Sequence, residues 1–228
     1  MKIGYFGKLP GYGDFVQRNM SPDIIKFWDS WILQSIEVSR SQLQRVWQQR
    51  YFNSPIWRFV INKGVISNNS LSGFMMPSVD KSGRCYPFTV ICESECDVNA
   101  FSFARQMENF HEKAEDFVIG LLEKSAPDLD EINQVLVDLY SSAKDSKFQG
   151  VPMAKPASFM EIGSIADPNN NDFVTCNESF LVNLLEMQKV KVTLWWTSGG
   201  VGLTPRKRYF SGMPPVDIFS TFLLGVDS

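Results

Sequence analysis

Two short loops hold the residues of this chain with the greatest chemical capacity. Residues 11–18 contain Asp14, Phe15 and Arg18, and residues 78–84 contain Asp80 and Arg84. In each loop an aspartate precedes an arginine by four positions, with glycine close by. One reading is structural: Asp14 or Asp80 ties its own turn, or the loops pair across a common edge. The other is a charged recognition patch in which Phe15 is the apolar anchor. The two readings are compatible. Gly11, Gly13 and Pro10 mark a chain that turns tightly or approaches other backbone closely.

Catalytic signatures are sparse. A Ser/His/Asp triad would have to use His111, the single histidine, and that residue lies at the edge of a helical apolar stripe. Ser78 beside Asp80 is therefore a poor nucleophile. Gly7-Lys8 is followed by Leu9 and lacks the upstream glycine of a phosphate-binding loop. Glu93 and Glu95 alternate on a strand end and read as solvated. Cys92 and Cys96 are four apart, but their spacing to His111 fits no common zinc pattern. Neither a metal nor a cofactor is expected, and the four cysteines read as reduced interior thiols.

The elements that must position these loops follow from periodicity. Ile3 and Tyr5 open a short strand. Ser21 and Pro22 start a helix whose apolar residues, from Ile24 through Trp28, Trp31, Ile32 and Ile36 to Val46 and Trp47, fall on one broad side. Strands are expected at 57–61, 71–76 and 85–92, joined by polar turns as an antiparallel meander. A second helix spans 99–124, with Glu115 among its outward charges. A third starts at Asp128, which forms a capping pair with Glu131. Residues 150–175 read as an irregular loop. A helix at 179–188, strands at 190–196 and near 209–210, and a helix after Pro214-Pro215 complete the chain. Arg206, Lys207 and Arg208 read as a solvated turn.

This order predicts an α+β fold, an antiparallel sheet with packed helices, as a single domain over 1–228 with a longin-like core and C-terminal additions. With 44% hydrophobic and 21% charged residues the composition is that of a globular protein. The net charge of −3 argues against nucleic-acid binding. No apolar run approaches the ~18–20 residues of a membrane helix. Met1-Lys2 leads straight into the glycine-rich strand without a signal-peptide core, so a cytoplasmic location is expected.

Six motifs occur in order: Gly4-Tyr5-Phe6-Gly7-Lys8-Leu9-Pro10, Gly13-Asp14-Phe15-Val16-x-Arg18, Phe27-Trp28-Asp29-Ser30-Trp31, Pro55-x-Trp57-Arg58-Phe59, Pro77-Ser78-Val79-Asp80 and Gly83-Arg84-x-Tyr86-Pro87-Phe88-Thr89. With Leu194-Trp195-Trp196-Thr197 and Gly212-Met213-Pro214-Pro215, the chain resembles the TagF family of type VI secretion-associated proteins. The resemblance implies an accessory protein that represses the secretion machine after translation, by binding its forkhead-associated-domain scaffold protein and not by catalysis. Some members carry a fused phosphatase domain; none is expected here. The family supplies no catalytic residues. Asp14, Phe15, Arg18, Asp80 and Arg84 are the expected partner-binding residues. The alternatives are a hydrolase or phosphatase-like enzyme with an unfamiliar site around Asp14, Asp80 and Arg84, and a structural assembly factor.

Overall fold

A computed structural model describes residues 2–95, 100–124, 127–145, 190–200 and 204–223. The chain divides into two compact units, Met1–Ser146 with Lys191–Ser228, and Lys147–Val190. Every element below belongs to the first. The expected loop at 150–175, the helix at 179–188, Cys96 and Cys176 lie outside the described residues.

Seven strands form one sheet: β1 (Lys2–Gly7), β2 (Val16–Arg18), β3 (Trp57–Ile61), β4 (Ser70–Met76), β5 (Phe88–Ser94), β6 (Val192–Thr197) and β7 (Arg206–Ser211). Their order is β2-β1-β5-β4-β3-β6-β7, and every neighbouring pair is antiparallel. The expected meander is its centre. The α+β expectation is thus borne out. All residues of β3, β4 and β5 are buried, so both faces of the central sheet are covered.

One face packs against α1 (Pro22–Leu43), α2 (Trp47–Phe52) and α6 (Ser220–Leu223). Ser21 caps α1 at Ile24 N–H, with Pro22 at its first position. Trp28, Trp31, Phe59, Trp195 and Phe222 meet here at ring spacings of 4.9–6.2 Å. Each buried indole N–H finds an acceptor, for example Trp28 Nε1 to Thr89 Oγ1 at 3.1 Å and Trp57 Nε1 to Phe222 O at 3.0 Å. The expected single helix through Trp47 is interrupted by a 3-10 turn at Gln44–Val46. That turn buries Trp47 and Tyr51, stacked 5.0 Å apart, and leaves Val46 47% exposed, against its expected place on the apolar side.

The opposite face carries α3 (Ala100–Gln106), α4 (Glu108–Leu122) and α5 (Leu129–Asp145). The helix expected over 99–124 breaks at Met107. Glu115 does not face out: it is buried and accepts Arg58 Nε at 2.6 Å and Nη2 at 2.9 Å. Arg58 projects from β3 onto this face and needs that counter-charge. His111, one turn earlier, is fully buried with Nε2 3.2 Å from Ser72 Oγ. Residues 206–208, expected as a solvated turn, are part of edge strand β7 because they pair with 195–197 of β6. The strand expected from Cys85 starts at Phe88; Cys85 makes only an isolated bridge to Val79.

Candidate functional site

Gly7 ends β1 with φ +145, and a Cβ there would lie 2.3 Å from Pro87 O. Only glycine lets β1 run this close to the chain entering β5. The close approach sets Lys8 and the 11–18 loop beside the 78–84 loop. Ser78 Oγ donates to Lys8 O at 2.7 Å, Lys81 N–H to Tyr12 O at 2.8 Å and Arg84 Nη2 to Gly13 O at 2.8 Å. Tyr51, rising from the core, donates to Ser78 O and accepts Ser78 N–H.

Asp80 joins the two loops. Its side chain is fully buried, and its two oxygens accept five hydrogen bonds. Oδ1 takes Ser82 N–H, Ser82 Oγ–H and Arg84 N–H; Oδ2 takes Lys8 Nζ at 2.8 Å and Arg84 Nε at 2.6 Å. Burial pushes its carboxyl up, but the bonds from Lys8, Ser82 and Arg84 outweigh burial and hold it well below the usual carboxylate range. The structural reading of Asp80 with Arg84 is therefore correct, and so is the pairing of the loops across a common edge. Gly83 at φ +82 makes the turn that returns Arg84 to Asp80.

Asp14 and Arg18 do not pair. Residues 16–18 are extended as β2, so four positions carry Arg18 away from Asp14. Asp14 Oδ1 accepts Phe15 N–H, the local cap, and Arg18 pairs with Asp130 near the start of α5. Tyr12 Oη–H to Pro127 O at 2.7 Å, Tyr5 Oη–H to Leu129 O at 3.1 Å and Asn19 Nδ2–H to Asn133 Oδ1 at 2.8 Å add to this side. The 11–18 loop is thus held between the 78–84 loop and α5.

Phe15 stands at the centre, 40% exposed. Its ring stacks on Phe6 at 5.3 Å, meets Tyr86 edge-on at 4.8 Å and has Lys8 Nζ 5.3 Å from its centroid. Tyr86 is fixed in turn by its hydroxyl bond to Asp29 at 2.9 Å. Sequence reasoning missed Lys8, Tyr86 and Asp130. The only local hint was a lysine set between apolar Phe6 and Leu9. Ser78 and Asp80 are committed to loop structure, and His111 bonds Ser72 instead.

Residues 4–139 match the TagF N-terminal domain, described as type VI secretion system-associated. The chain belongs to the TagF family. The match runs from Gly4 within β1 through most of α5, which includes every residue of the two-loop surface. The fold is similar to the crystal structure of PA0076 from Pseudomonas aeruginosa PAO1, with a TM-score of 0.74 and 25% identity over 99% of this chain and 96% of that one. No curated protein matches. No helix among the described residues is long and apolar enough to cross a membrane.

Replacing Asp80 by Asn in this TagF-family chain leaves Lys8 buried without a counter-charge. We expect the melting temperature to fall by about 10 °C at neutral pH. The sign of the pH effect is fixed by the depressed carboxyl. Its contribution is complete above the unfolded value near ~4 and is lost as pH falls toward the folded one, so the variant's deficit shrinks in acid. Thermal melts of both proteins from about pH 7 to 2 check this.

Proposed function

We propose that the chain is a cytoplasmic accessory protein of the type VI secretion machine. It represses the machine after translation by binding the forkhead-associated-domain scaffold protein through Asp14, Phe15, Arg18, Asp80 and Arg84, and residues 1–228 work as one TagF-like domain. The observation that carries this reading is the half-exposed Phe15 ring, locked by Phe6, Tyr86 and Lys8 between two cross-braced loops. A rigid aromatic surrounded by charge loses little freedom on binding, and such groups dominate interface energies. In this arrangement Asp14, Phe15, Arg18 and Arg84 touch the partner, and Asp80 holds Arg84 in place.

The enzymatic alternative is disfavoured by Asp80 itself. A carboxylate with about four lone-pair sites, already accepting five bonds, has no capacity to take a proton or a metal. Secretion assays test the regulatory reading. Overproducing the chain should stop export of the machine's tube protein while transcript and subunit levels stay unchanged. Export unaffected by overproduction and by deletion alike would refute repression.

A further inference from the structure

Lys8, Arg18, Lys81 and Arg84 lie on the two-loop surface with Asp14, Asp29, Asp80 and Asp130, and three of these carboxylates are already engaged: Asp29 by Tyr86, Asp80 by Lys8 and Arg84, and Asp130 by Arg18. Lys8 and Arg84 share a single oxygen of Asp80. Asp80 is saturated, whereas the Arg84 side chain is 65% exposed and its guanidinium has donors beyond the bonds to Asp80 and Gly13. Phe15 lies against the same Lys8 ammonium. The surface therefore offers a planar cation, a second cation behind it and an apolar ring alongside.

We propose that this notch receives an acidic side chain from a protein partner. A glutamate or aspartate docks on the outer edge of Arg84 while an apolar neighbour covers Phe15. The inference rests on reading the two loops as the partner-binding surface, and it adds the chemistry of what they bind. Arginine suits this task because its fork matches a carboxylate in two places.

The test is a nuclear magnetic resonance titration of the isotope-labelled protein with hexaglutamate, and separately with inorganic phosphate. Hexaglutamate should shift the amides of residues 12–16 and 80–84 and the Arg84 Nε–H. Raising salt from about 0.05 to about 0.3 M should weaken the effect several-fold. Lys81→Glu, an exposed change that leaves the Asp80 bonds intact, should weaken it too, and Arg84→Gln should abolish it. Shifts centred on Arg206–Arg208 of β7, or no shifts at millimolar peptide, would overturn the proposal. Phosphate acting as strongly as hexaglutamate would overturn the choice of a carboxylate. The readout needs no scaffold. Loop shifts without scaffold binding would therefore sink the scaffold reading and leave this inference standing; scaffold binding indifferent to Arg84 would do the opposite.

Discussion

Arg58→Met should destabilise the protein by about 3–5 kcal/mol, whereas Arg58→Met with Glu115→Leu should come within about 1 kcal/mol of the parent. The pair is bidentate, at 2.6 and 2.9 Å, with both side chains nearly enclosed between β3 and α4. Removing the guanidinium alone strands a carboxylate away from water. Removing both charges lets the layer pack as hydrocarbon. Burial is the largest influence on Glu115 and pushes its carboxyl up, against the pull of Arg58, so the ion pair yields little net stability. Without Arg58 the folded carboxyl rises further above its unfolded value. The folded state then binds more protons, and the deficit of the single variant should shrink from pH 7 to pH 5. Urea titrations at those two pH values decide the matter. A single variant as stable as the double would refute the account.

Acid should cost the protein about 3 kcal/mol between about pH 6.5 and 4 through His111. Burial, helped by the positive charge of Arg58, pulls this imidazole down to about 3. Its Nε2 faces Ser72 Oγ, its Nδ1 has no hydrogen-bond partner among the described residues, and Phe74, Phe110 and Trp196 surround the ring. The folded value lies below the unfolded one near ~6.5, so the stability is complete above that pH and is lost as pH falls toward the folded value. Glu115, one turn along α4, works in the opposite direction because its carboxyl is raised. The clean observable is the difference from His111→Gln, which keeps a polar group toward Ser72. The parent should lose stability in acid faster than this variant. Parallel curves would show that His111 does not titrate on unfolding.

What could be read in the sequence was what neighbours along the chain decide. The 3.6-residue period marked α1, the polar turns at 62–70 and 77–84 bracketed β3 to β5, and Asp128 announced α5. The Asp80–Arg84 pair was legible for the same reason, since a turn with Gly83 closes it within four residues. Contacts between distant segments were not. Arg18 meets Asp130 across 112 positions and Lys8 meets Asp80 across 72. Glu115 looked solvated because a helix wheel cannot anticipate an arginine arriving from β3. The break at Gln44 was hidden as well, since Trp47 continues the apolar pattern and only the demand to bury both Trp47 and Tyr51 selects the 3-10 turn. Sheet order escaped for a related reason. The insertion of β5 between β1 and β4 joins segments whose alternation is erased by burial on both faces.

Calorimetry of the purified chain with the forkhead-associated scaffold of the same organism, beside a Phe15→Ala variant first verified as folded, tests the central claim most directly. Phe15 is exposed and rigidly seated, so its loss should weaken binding by about thirtyfold or more, roughly 2 kcal/mol. Equal affinity for both proteins would move the interface away from the two loops. No heat with either would contradict direct binding of that scaffold.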